Sequence, residues 1–155
     1  QHGGAAQPAI PRGGRPPLMR FVTNKELQVE GSPWGPHEWI SRPGLTNAEE
    51  LLLVRVRMPV GKAHQFHTHP EMEEIIYVES GTAEQWVDKE KRVLTAGQSA
   101  HIPKGVVHGT YNVGKDTLVF LAILSPAKIS GPALVDVHKE EPWRSLKTPM
   151  HFPGM

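Results

Sequence analysis

No cysteine occurs in the chain. That removes disulfides, thiolate metal ligands and cysteine nucleophiles, and it leaves the compartment open. Nor is there an apolar run of the ~18 residues that a membrane-crossing helix needs. The longest such run, residues 118–124, is the length of one strand. Excess charge of either sign is missing too, with 17 basic against 16 acidic side chains. So balanced a chain has no electrostatic footprint for nucleic acid or an anionic membrane, and neither is expected as a partner. A long amphipathic helical period and an internal repeat are also absent.

Glycine and proline are plentiful, 15 of each, against a usual combined share of about 12 %. Much of the excess sits at the two ends. Residues 1–17 read as a Pro/Gly-rich arm, expected to lie against a second subunit. The chain opens on Gln1. That fits an exported or periplasmic protein whose signal was removed before this residue, and a cytoplasmic one equally. At 155 residues the chain can form one domain with its own core. The barrel is predicted over residues 18–126, followed by an irregular tail over 127–155 that Trp143 and Phe152 pack back onto it.

Within the barrel, Leu52, Val54, Val56 and Met58 share one face of a strand while Arg55 and Arg57 take the other. The strand series starts near Trp39. Further strands are expected over 74–78, 82–87, 92–95, 99–102, 108–113 and 117–124, with turns at Gly81, 88–91 and 114–116. One helical turn is expected over 47–51, capped by Thr46 or Asn47. Short, regularly spaced strands predict an all-β sandwich or barrel, and closure would remove exposed sheet edges.

The chemistry concentrates in two stretches. His67 and His69 stand two apart, so on a strand both imidazoles enter the same interior. Glu74 begins the next strand, and His108 comes from a strand far away in sequence. Three imidazoles and a carboxylate can hold one divalent transition metal, and donors without thiolate suit Mn, Fe, Co, Ni, Cu or Zn. On an octahedral ion, these protein ligands leave positions for water, oxygen or substrate, as a catalytic site requires. Glu73 competes with Glu74, but neighbours on a strand point to opposite faces, so only one can reach the ion. Gln65 shares strand parity with His67 and His69. It is a candidate to hydrogen-bond an oxygen on the ion, with a solvated polar group as the alternative.

The intervals are specific. Gly61, His67, His69, Glu74 and Gly81 follow the order glycine, five residues, His-x-His, four residues, glutamate, six residues, glycine. Gly97, Pro103, Gly105, His108 and Asn112 follow a second: glycine, five residues, Pro-x-Gly, two residues, histidine, three residues, asparagine. In these positions the chain resembles the cupin superfamily, over roughly residues 50–125. The resemblance implies a double-stranded β-helix, or jelly-roll barrel, with a metal inside. It implies His67, His69, Glu74 and His108 as ligands, and the interval to Gly81 favours Glu74 over Glu73. Gly81, Gly97 and Gly105 become turn positions and Pro103 a strand-edge restraint. Small cupins are frequently dimers, so a homodimer is expected.

The implied activity is that of a metal-dependent oxidoreductase, similar to quercetin dioxygenase-type cupins. The substrate would be a small enolisable or carboxylate molecule, with Glu74 as ligand and base together. Redox-neutral isomerases, lyases and decarboxylases share the fold and ligand set, as do cupins that only bind a small molecule or metal. Among the other side chains, His64 is placed at the cavity mouth and His101 could point either way. Histidines 2, 37, 138 and 151 lie in the flanks and receive no role. Phe66, Met72, Trp86 and Tyr111 are read as packing residues, and Lys62 and Lys104 as solvated.

Overall fold

The computed structural model describes residues 18–153. The arm over 1–17, with its expected contact to a second subunit, lies outside the described residues. In chain order the strands are β1 (Gln28–Glu30), β2 (His37–Ser41), β3 (Leu52–Met58), β4 (Ala63–Thr68), β5 (Glu73–Ser80), β6 (Ala83–Val87), β7 (Glu90–Leu94), β8 (Ser99–Ile102), β9 (His108–Asn112), β10 (Leu118–Ser125) and β11 (Val135–Asp136). One helical turn, α1 (Trp143–Leu146), follows. Two antiparallel sheets form, ordered β1-β2-β3-β10-β5-β8 and β11-β4-β9-β6-β7. This is the jelly-roll arrangement that the cupin resemblance implies, within the all-β class expected from the strand pattern.

Alternation decides what lies between the sheets. In β3, Val54, Val56 and Met58 are buried, while Arg55 and Arg57 face outward and pair with Glu38. Register then lines up Val54, Ala122 and Ile76 across three neighbouring strands, and Leu52, Leu124 and Glu74 in the next inward row. Each large apolar side chain so buried contributes about 1.5–3 kcal/mol. Glu74 is thus a carboxylate set into an apolar wall.

A second cluster forms around Phe66, Trp86, Tyr111 and Phe152, with Trp143 against it. By strand parity Phe66 and Tyr111 face away from His67 and His108, so this cluster lies behind the five-stranded sheet. Phe152 and Trp143 pack against side chains of β4, β6 and β9.

Turn chemistry fixes the hairpins. Gly81 has φ +88°, and a Cβ there would lie 2.8 Å from the Thr117 carbonyl oxygen, so only glycine fits. Asn112 closes the β9–β10 connection: its Nδ2 donates to the Met58 and Asp116 carbonyls, and its Oδ1 accepts from the Gly114 N–H.

Some local expectations are corrected. Residues 47–51 form no helical turn. The Thr46 hydroxyl is tied to Ser41 and to the Arg42 carbonyl, which removes it as a cap. The strand series begins earlier than Trp39, with β1 and the first residues of β2. The tail is less irregular than expected, since β11 pairs with β4.

Candidate metal centre

β4 carries His67, and His69 lies just beyond its end; β5 brings Glu74 and β9 brings His108. Pairing of β4 with β9 sets His67 directly opposite His108. One donor atom from each of these four residues falls within 4.8 Å of all the others. Glu74 Oε1 is 2.8 Å from His108 Nε2 and 3.3 Å from His69 Nε2. With metal–donor bonds of roughly 2.0–2.2 Å, neighbouring ligands on one ion stand about 3 Å apart.

The outer ring nitrogens fix the chemistry of the inner ones. His67 Nδ1 lies 2.7 Å from the Gln65 carbonyl, His69 Nδ1 2.8 Å from that of Ala133, and His108 Nδ1 3.0 Å from that of Val106. A carbonyl only accepts, so each Nδ1 carries the proton and each neutral ring offers an Nε2 lone pair to the centre. Glu74 Oε1 and His108 Nε2 are buried without an aligned hydrogen bond despite their 2.8 Å approach. Two lone-pair atoms that close repel unless a proton or a metal cation lies between them. The cluster therefore fits a divalent metal ion.

Without an ion, the same groups pair with one another through protons. Burial opposes ionisation of Glu74, but the His108 and His69 imidazoles hold its carboxyl at about 2. It is a carboxylate at neutral pH. Burial, with His64 and the other imidazoles close by, pushes His67 well below the usual histidine range, so its lone pair is free. His69 is pulled down by burial, but Glu74 and the Ala133 carbonyl outweigh this and leave it raised.

The ligands stand in a cavity of about 850 Å³. Val54, Val56, Ile76, Phe120, Ala122 and Leu124 form apolar walls, and Met72 joins them as well as packing. Glu73 and Glu74 divide as strand parity requires. The Glu73 side chain is 61 % exposed and contacts His101 Nε2 at 2.9 Å, while that of Glu74 is 6 % exposed. His101 accordingly points outward.

His64, placed at the cavity mouth from the sequence, lines the cavity although strict alternation would turn it away from His67. The β4–β9 register shifts between His64 and His67. This bulge turns His64 into the cavity, where its ring stacks on His67 at 3.5 Å and on Trp34 at 4.1 Å.

Gln65 requires a correction. It is buried and lines the cavity, but its Nε2 donates to the Met150 carbonyl at 2.8 Å and its Oε1 accepts the Met150 N–H at 2.7 Å. Both ends of the carboxamide are engaged by backbone. Gln65 thus staples the tail to β4 and is not free to hold an oxygen on the ion. Sequence reasoning also passed over Trp34, His37 and His138, all of which line the cavity. They arrive on segments outside both motifs, and no period marked them as inward.

Fold and site together define a jelly-roll protein with a three-histidine, one-carboxylate centre. Residues 54–124 match the Cupin domain family, and the chain belongs to the cupins. It is 30% identical over 123 residues to polyketide synthase CurC of Streptomyces cyaneus, covering 79% of each chain. It is 28% identical over 98 residues to the pectin degradation protein KdgF of Dickeya dadantii (strain 3937), covering 63% of this chain and 88% of that one. The solved structure of KdgF from Halomonas sp. superposes with a TM-score of 0.62 at 25% identity, covering 72% of this chain and 96% of that one.

Proposed function

We propose that this cupin is a metal-dependent enzyme for a small enolisable carboxylate, and that its reaction is redox-neutral proton transfer. The observation that carries this reading is the convergence of the four donor atoms at an open, apolar-walled cavity. A divalent ion held by His67, His69, Glu74 and His108 would supply Lewis acidity to a chelating substrate oxygen. The protein's own part is to exclude water and move a proton. Two groups are placed for that. Glu74 is held ionised inside the wall and can serve as ligand and base together. His64 is pushed by burial, and by His108 and the other imidazoles, well below the usual histidine range, so it is a neutral acceptor stacked beside a ligand. The similarity in sequence and structure to KdgF, named a pectin degradation protein, supports a role in breaking down organic material over mere metal storage.

A dioxygenase-like reaction is the second reading. The apolar walls favour it, because dioxygen partitions into such surroundings and the ligand set leaves positions for it. Turnover of a panel of keto acids and unsaturated carboxylates by protein loaded with Mn, Fe, Co, Ni or Zn separates the two. The redox-neutral reading expects equal rates with and without oxygen; turnover that stops under argon selects the dioxygenase. Binding without product under every metal would leave a non-catalytic binding protein. As to assembly, we propose a homodimer, supported by Ile75 and Tyr77 standing partly exposed on the outward face of β5. Light scattering that gives a monomer mass at micromolar concentration would overturn it.

A further inference from the structure

His138 is 8% exposed, yet neither of its ring nitrogens has a partner. It lines the same cavity as the metal cluster but belongs to no motif. Its backbone is well fixed. The Val137 N–H donates to the Phe66 carbonyl at 3.0 Å, and the Glu140 N–H closes a turn on the Val137 carbonyl at 2.9 Å. β11, ending two residues earlier, is paired with β4. The backbone around His138 is therefore held in place while the ring's polar atoms are left without a partner. Leaving a buried polar group unsatisfied is costly, and most such groups are paired in native structures.

Resting on the metal-enzyme reading above, we propose that His138 is a substrate-positioning residue, binding a hydroxyl group on the part of the substrate that extends away from the ion. An imidazole presents one N–H and one lone pair when neutral, and two N–H groups when protonated. In either form it needs an oxygen acceptor, and in the neutral form it also needs a donor. A hydroxyl is both, whereas a carboxylate only accepts. The substrate class is thus a carboxylic acid that also carries a hydroxyl, anchored by the carboxylate at the ion and by the hydroxyl at His138.

Zinc-loaded protein titrated with gluconate and with hexanoate tests this, since the two acids have the same chain length and differ in hydroxyls. The gluconate-to-hexanoate affinity ratio should fall about tenfold in His138→Ala and stay within about threefold of wild type in His138→Gln, which keeps a donor and an acceptor. The ¹⁵N signals of the His138 ring should shift with gluconate and not with hexanoate. An unchanged ratio in His138→Ala, equal ring shifts with both acids, or a crystal structure with an ordered water alone on the ring would each overturn the assignment. Failure of the protein to take up zinc would sink the function reading by itself. With zinc bound, an unchanged ratio in His138→Ala overturns the role of His138 alone.

Discussion

The stretch that matches the cupin family and the segment that follows it build different parts of one site. Residues 54–124 supply all four candidate ligands. The later segment supplies none, yet the Ala133 carbonyl orients the His69 ring, Met150 engages Gln65, and Phe152 fills the cluster behind the sheet. The ligand-bearing part also supplies the apolar walls, while the later segment adds His138 to the cavity lining and supports the ligands from behind. The four candidate ligands and the groups that brace them thus come from separate parts of the chain.

That division can be broken at several points. The largest effect should come from His67→Ala or His108→Ala. Each should lower metal affinity by more than the ~10–100-fold typical of removing a supporting group, while circular dichroism stays β-rich; metal content equal to wild type in both variants would overturn the ligand assignment. Next, Glu74→Gln should lower metal affinity at least tenfold and Glu73→Gln should leave it unchanged, since one carboxyl is buried beside two imidazoles and the other is exposed. The reverse outcome in a metal titration would exchange their roles. Phe152→Ala should cost about 3–5 kcal/mol, as core aromatic deletions do. Denaturant unfolding that shows a loss under 1 kcal/mol would mean that the tail does not stabilise the barrel.

The smallest effect is the pH dependence of the metal-free protein. His64 and His67 are held below the unfolded histidine value, chiefly by burial, so the folded state resists protonation. Stability from these two is full above about pH 6.5 and falls as pH drops below it. His69 is raised and acts in the opposite sense, adding stability below that pH and losing it as pH rises through its folded value. Glu74, held at about 2, adds a loss that begins below about pH 4.5. A melting temperature that rises between pH 7 and pH 5 would contradict this balance.

The strand pattern and the ligand set were legible because both rest on local rules. Period-two alternation revealed β3, and the same parity separated Glu73 from Glu74. What escaped depends on distance. β1 is three residues long and β2 follows a Gly-Pro turn, so neither carried enough alternation to register. Gln65 obeyed parity, but its partner, Met150, lies 85 residues away. The sequence places His64 at the cavity mouth but does not reveal its stacking on His67, because the bulge behind it is a property of pairing with β9. His138 escaped because an isolated histidine in a proline-bearing tail has no spacing to be judged against.

The stack of Trp34 on His64 on His67 has a practical corollary. An indole one ring removed from a metal ligand is a fluorophore wired to the centre. Loading with a paramagnetic ion such as copper should quench its emission far more than loading with zinc, so replacing Trp34 with phenylalanine should silence most of that optical signal. Occupancy could then be followed in real time, without a substrate in hand.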